Sequence, residues 1–188
     1  MSLVPAFKLG LLNAWILTLP LIVLMIFGVK ILGKREIGES PDLTNKEKAV
    51  FNARHIIFLA SCVYSMFLPL KLSTPWFLGG LLVYVLGMLI EALALLSFYK
   101  TSVDKLVTEG VYSISRHPIY VGFFLIKIGI SMSCLSWIFL LLAIISVILE
   151  NDMVDVEERW CLEKYGDAYR EYANRTPKWI GLPKIRKK

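Results

Sequence analysis

Arg116 and His117, followed at once by Pro118, and the paired carboxylates Glu157 and Glu158 are the residues whose types and spacing suit chemistry. The first group closes the polar stretch Lys105–Tyr120, in which Gly110 suits a tight turn. Pro118 suits the first turn of a helix, where its missing N–H is no loss. Arg116 and His117 then stand just before a helix N-terminus, a place that favours an anion. The alternative is that Arg116 marks a membrane boundary and His117 caps the helix. Glu157 and Glu158 sit where an apolar stretch gives way to the polar one from Val156 to Tyr172. They are either a solvated helix end or a grip on ammonium or ribose hydroxyl groups, since carboxylates accept strong charge-assisted hydrogen bonds. Tyr165, Tyr169 and Tyr172 fall on one helical stripe if the helix continues through Gly166. Such a stripe more often packs on a neighbour than cradles a cofactor.

The elements that must position these groups are apolar. The chain has 188 residues, 56% of them hydrophobic, and a mean hydropathy of +0.62. Soluble domains lie nearer 45–50% apolar, so the excess points to a bilayer as the main solvent. No charge interrupts Leu9–Val29 or Leu72–Ile90, each about the 20 residues that a spanning helix needs. The first is too long for a signal-peptide core and has no small-residue cleavage site after it, so it reads as a retained helix. His117–Leu149 is about 50 Å long as one helix, against a hydrocarbon core of about 30 Å. Its serine-rich middle, Ser131–Ser136, divides it into a helical hairpin. The expected fold is all-α, an integral membrane bundle of about five helices near 9–31, 55–72, 76–99, 118–131 and 136–152, with a cytoplasmic pocket. Residues 1–99 hold three membrane helices. Residues 100–188 hold the catalytic region: loop, hairpin and cytoplasmic C-terminal helix.

Basic residues set the orientation. Lys30–Arg54, Lys100–Arg116 and the segment from Arg159 onward carry 18 of the 21 lysines and arginines, and five helices place all three on one side. The N-terminus is then extracytoplasmic, and the active site and C-terminus are cytoplasmic. This topology explains a pI near 9.2 without nucleic acid. Membrane lipids are the expected partners, with Lys184–Lys188 touching anionic headgroups. Cys62, Cys134 and Cys161 form neither a disulfide framework nor a metal-ligand pattern.

The series Leu106-Val107, Gly110-Val111-Tyr112 and Arg116-His117-Pro118-Ile119-Tyr120-Val121-Gly122, then Glu157-Glu158, Tyr165-Gly166, Tyr169, Tyr172 and Pro177, resembles the isoprenylcysteine carboxyl methyltransferase and phospholipid methyltransferase superfamily. The likeness covers roughly residues 100–180. It implies a membrane-embedded enzyme in which S-adenosylmethionine lies in a cytoplasmic pocket formed by the two polar segments. Lys105, Leu106, Val107, Tyr112, His117, Pro118 and Tyr120 line that pocket by motif, and Glu157 holds the cofactor. His117, Arg116 and Glu158 are the candidates for chemistry, His117 or Glu158 assisting if the acceptor must lose a proton. The acceptor is a lipid or isoprenylated molecule entering sideways from the bilayer. A prenylcysteine carboxylate is one candidate and a phospholipid amine another. Where the family's prenylcysteine enzymes carry an arginine one turn before Glu157, this chain has Met153, which counts against a carboxylate acceptor. A sterol-reductase-like NADPH enzyme and a non-catalytic membrane scaffold are the readings from other classes.

Glu91 and Lys127 are ionisable residues inside apolar runs, each about 12 Å from the cytoplasmic boundary by helical rise. Equal depth on neighbouring antiparallel helices suggests an ion pair or shared hydrogen bond. A protonated Glu91, a snorkelling Lys127, or a Glu91 lining the acceptor tunnel are the alternatives.

Overall fold

The computed structural model describes residues 9–33, 43–102 and 104–181. They form α1 (Trp15–Gly33), α2 (Asn45–Ser65), α3 (Pro75–Lys100), a 3₁₀ turn (Gly110–Ser113), α4 (Pro118–Cys134), α5 (Trp137–Tyr165) and α6 (Asp167–Arg175). Among the described residues there is no strand, only an isolated bridge between Asn13 and Pro69. The fold is all-α. Two helices, α3 and α5, are long and apolar enough to cross a membrane, while Trp15–Lys30 and α4 are apolar but shorter. Leu78, Leu82 and Leu89 on α3, with Leu141 and Ile148 on α5, point large apolar side chains outward. Helices apolar on their outer faces as well suit a hydrocarbon solvent.

The centre of the bundle is a backbone-to-backbone contact between α3 and α4. Gly80 and Gly87 on α3 face Gly129 and Gly122 on α4. A Cβ on Gly129 would stand 2.5 Å from the Tyr84 nitrogen and 2.6 Å from the Gly80 carbonyl oxygen. One on Gly87 would stand 2.7 Å from the Gly122 carbonyl. In an apolar solvent, close packing of small residues is what holds two helices together. On the flanks, the Tyr84 hydroxyl donates to the Leu17 carbonyl of α1 at 2.8 Å. Leu21, Leu68, Ile126, Ile130 and Phe139 fill the common core.

These glycines also fix the register between α3 and α4, and the register separates Glu91 from Lys127. Glu91 comes level with Gly122, whose Cβ would lie 3.0 Å from the Glu91 nitrogen. Gly122 precedes Lys127 by five residues, about 7.5 Å of helical rise. The expected ion pair is not formed. Lys127 Nζ turns to α5 and donates to Ser146 Oγ, with Phe123 4.4 Å away at its ring centroid. Glu91 Oε2 is buried without a hydrogen-bond partner.

Other boundaries moved for local reasons. α1 starts at Trp15 rather than near Leu9, because residues 12–14 pair with 68–70: Ala14 N–H donates to Leu68 O at 2.8 Å and Leu70 N–H to Leu12 O at 3.0 Å. α2 begins ten residues earlier than its apolar run, at a capping box. Glu47 N–H donates to Thr44 Oγ1 at 3.3 Å and Thr44 N–H to Glu47 Oε2 at 2.8 Å. The apolar run from His117 breaks at Leu135-Ser136, where Leu135 takes a left-handed conformation with φ 52°. Ser136 then caps α5. α5 runs to Tyr165, well past residue 152, and so carries Glu157 and Glu158 on a rigid helix. Gly166, at φ 54°, ends α5 and starts α6. This breaks the tyrosine stripe: Tyr169 and Tyr172 are buried, whereas Tyr165 packs edge-on against Trp160. Lys8, Lys34, Arg35 and the basic cluster Lys184–Lys188, with its expected headgroup contact, lie outside the described residues.

Candidate active site

The site forms where the turn before α4 meets the polar end of α5. Pro118 opens α4, and His117 occupies the N-cap without a side-chain capping bond. Ser115 does the local work instead, its hydroxyl accepting from the His117 N–H at 3.1 Å. The imidazole is thereby released towards α5. Its Nε2 lies 3.0 Å from Glu158 Oε1 and its Nδ1 3.6 Å from Glu157 Oε2. The two successive acids of α5 thus address opposite edges of one buried ring. The Tyr120 hydroxyl, one turn into α4, donates to the other oxygen of Glu157.

Arg116 locks this arrangement to the C-terminal part of the chain. Its Nη2 lies 2.7 Å from Glu158 Oε1. Its Nη1 donates to the carbonyls of Ala173 at 2.9 Å and Thr176 at 3.4 Å. The Arg116 N–H reaches the Pro177 carbonyl at 3.0 Å, and Ser115 Oγ donates to Lys178 O at 3.4 Å. The segment after α6 is therefore folded back on the Arg116-His117 turn, with Trp179 6.2 Å from the imidazole between ring centroids.

Charge follows from these contacts. Burial opposes a charged imidazole, but the hydrogen bonds and charges of Glu157 and Glu158 outweigh it, and His117 titrates above its ordinary 6.5. Burial likewise opposes the Glu158 carboxylate, yet His117 and Arg116 hold it below its ordinary 4.5. Glu158 is spent on these two partners. Glu157 is not: its side chain is 47% exposed, against 23% for Glu158. The site therefore presents one oriented, solvent-facing carboxylate, suited to an ammonium, a sulfonium or a ribose diol.

The remaining candidates stand apart from this cluster. Val107 and Tyr112 are buried with Ala94 in a small core under the loop, against Phe98 and Ile119. The Tyr172 hydroxyl, donating to Tyr112 O at 2.7 Å, ties that core to α6. Leu106 is half-buried and Lys105 exposed.

A family model described as phospholipid methyltransferase matches residues 77–168, from the start of α3 to α6. Protein-S-isoprenylcysteine O-methyltransferase B of Arabidopsis thaliana is 29% identical over 168 residues, covering 82% of this chain and 84% of that protein. The Saccharomyces cerevisiae protein-S-isoprenylcysteine O-methyltransferase is 34% identical over 134 residues, 65% of this chain and 54% of its own length. Its Schizosaccharomyces pombe counterpart is 33% identical over 78 residues, 41% of this chain and 33% of its own. The chain thus spans only about a third to a half of the two yeast proteins. Over these segments it is similar to phospholipid methyltransferases and to protein-S-isoprenylcysteine O-methyltransferases.

Two parts of the site escape motif reading. One is the fold-back of residues 176–179, of which the motif series held only Pro177. The other is an ion pair from α2, Arg54 Nη1 to Glu150 Oε2 at 3.0 Å. Arg54 reads as one more cytoplasmic charge, and only the antiparallel packing of α2 on α5 brings it to the site.

Proposed function

We propose that the protein is an integral membrane methyltransferase that uses S-adenosylmethionine to methylate the carboxylate of a prenylated cysteine. The observation that carries this reading is the imidazole of His117 clamped between Glu157 and Glu158. The clamp leaves Glu157 oriented and open to a cationic donor, and it shifts His117 towards its protonated form. A protonated imidazole is a poor base, so the site suits an acceptor that has no proton to lose. When bound, S-adenosylmethionine supplies a methyl on a sulfonium, which a carboxylate oxygen takes with departure of a neutral thioether. Orientation supplies much of the acceleration in such a reaction, up to ~7–11 kcal/mol.

The residues present fit that cofactor. Glu157 has the charge and exposure to hold its ammonium or ribose hydroxyls, with Tyr120 fixing one oxygen. Of the loop-side candidates, half-buried Leu106 and exposed Lys105 alone offer surface to it, with Val107, Tyr112 and Pro118 buried behind them as support. Arg116, His117 and Glu158 act as positioning residues, holding Glu157 and the fold-back in place. In this reading the chain crosses the bilayer five times, with the N-terminus outside and the site cytoplasmic. The acceptor slides in from the bilayer, while the methyl donor arrives from water. The relatives named as isoprenylcysteine methyltransferases support the acceptor class.

The test is to incubate purified protein in lipid with methyl-labelled S-adenosylmethionine, offering an S-prenylated cysteine and phosphatidylethanolamine side by side. Base-labile label on the prenylcysteine is expected. Label in the phospholipid amine alone, or in neither, contradicts the reading.

A further inference from the structure

The outward faces of α3 and α5 change character at different heights. The outward stripe of α5 is apolar at Trp137, Leu141, Ile144 and Ile148, then charged at Asp152, Asp155 and Arg159. From Trp137 to Asp152 is about 22 Å of helical rise, less than a hydrocarbon core of about 30 Å. α3 stays apolar outward from Trp76 to Tyr99, about 34 Å. α2 agrees with α5. Ile56, Leu59 and Val63 point outward as apolar groups, whereas His55, Asn52 and Lys48 are exposed on the same stripe.

Contacts through α4 put these faces on one scale. Gly122 meets Glu91 of α3. The Lys127–Ser146 and Tyr120–Glu157 bonds place Gly122 level with residues 151–155 of α5 by helical rise. Asp155, 63% exposed, thus stands at about the height of Leu93, 48% exposed. The Arg54–Glu150 bond puts His55 of α2 close to the same level. The apolar face of α3 continues to Lys100, nine residues and about 13 Å past Glu91.

Exposed charges do not face acyl chains where water is within reach. A helix whose apolar stretch is too short draws the interface to itself, by tilt or by thinning of the bilayer. The charges on this face are mixed in sign, Lys48 and Arg159 beside Asp152 and Asp155. Such a face matches the phosphate and ammonium of a zwitterionic phospholipid head. We infer that the α2–α5 face is a surface for phospholipid headgroups, which descend along it to His55 and Asp152, about 13 Å deeper than on the α3 side. This rests on the membrane-embedded part of the reading above and adds the side of the bundle. The headgroup layer there spans the turns of α5 that carry Glu157 and Glu158, while the same height on α3 is hydrocarbon.

The test uses full-length protein in phosphatidylcholine nanodiscs. Single cysteines replace Ile148, Asp152, Leu89 or Leu93 in a background whose native cysteines are alanine, and react with a charged maleimide. Asp152 makes no ion pair among the described residues, so its replacement removes none. Maleimide attacks the thiolate, which apolar surroundings suppress, so Asp152→Cys should label at least ~tenfold faster than the other three. A fluorophore on Asp152→Cys should be quenched more by a headgroup nitroxide lipid than by a chain-end one, and a fluorophore on Leu93→Cys the reverse. Equal labelling of Asp152→Cys and Leu93→Cys overturns the inference. So does fast labelling of Asp152→Cys without headgroup quenching, which means water alone on that face. Wild type keeps the inference testable should the cysteine-free background not fold. A phosphatidylcholine with a headgroup diazirine should crosslink to residues 45–55 and 151–160 rather than 89–96, and an even or reversed pattern overturns it. Failure of the methyltransferase reading is separate: it shows as no methyl transfer, whatever the lipid pattern.

Discussion

The Gly122 carbonyl oxygen lies 2.7 Å from the place that a Cβ on Gly87 would occupy. Gly129 is tighter, and a methyl there must push apart the α3 and α4 backbones. Gly129→Ala is therefore expected to destabilise the fold by ~1–3 kcal/mol, the scale of overpacking a filled core. The control is Gly79→Ala, where the added carbon meets only Met132 Cε at an ordinary 3.7 Å. Thermal midpoints in one detergent check it: a large drop for Gly129→Ala and little change for Gly79→Ala are expected. Equal midpoints would mean that the helices are not in backbone contact.

His117 should titrate above 6.5, because Glu157 and Glu158 favour the imidazolium more than burial disfavours it. A raised folded pKa stabilises fully below the unfolded value and fades as pH rises through the folded one. The clamp is thus expected to be firm below pH 6.5 and to loosen on the alkaline side. NMR of labelled histidine in a His55→Asn background gives the midpoint, and Glu158→Gln should lower it. A midpoint that ignores Glu158→Gln would detach the two residues.

Glu91→Gln and Lys127→Met should have additive effects on thermal stability, since the α3–α4 register holds the two side chains apart. Lys127→Met and Ser146→Ala should not be additive, because Lys127 Nζ donates to Ser146. A double-mutant cycle on each pair checks both statements. Coupling between Glu91 and Lys127 would contradict the register.

That register illustrates what the sequence hid. Helical rise puts Glu91 and Lys127 at the same depth only if the helices are counted from the ends joined by the loop between Lys100 and Pro118. The glycines at 80, 87, 122 and 129 fix the slide between the helices, and their spacing of seven on each helix was the overlooked signal. By contrast, α3 was legible almost to the residue, since Pro75 and Lys100 bracket an apolar run whose one charge is Glu91. The start of α2 was written in Thr44 and Glu47, but charged residues between them and the apolar run masked a helix. Within the site, His117, Tyr120, Glu157 and Glu158 were legible because two continuous segments carry them. Arg54 was not, because its place depends on packing between α2 and α5.

Arg116→Lys should free the segment after α6. A lysine keeps the charge but cannot span Glu158 and two carbonyls with one planar fork. Loss of charge-assisted hydrogen bonds worth ~1.5–3 kcal/mol should speed amide exchange over residues 176–181 by ~tenfold or more. Hydrogen-exchange mass spectrometry reads this directly, with α3 as the unaffected reference. Unchanged exchange would show that Arg116 does not hold the fold-back.

The central claim is that Glu157, steadied by His117 and Tyr120, receives the methyl donor. Titration calorimetry with S-adenosylhomocysteine tests it without turnover, on wild type and Glu157→Ala. Saturable heat from wild type and affinity weakened at least ~tenfold in the variant are expected, the loss of one charge-assisted hydrogen bond. No binding heat from folded wild type, or the same affinity in Glu157→Ala, would contradict the account.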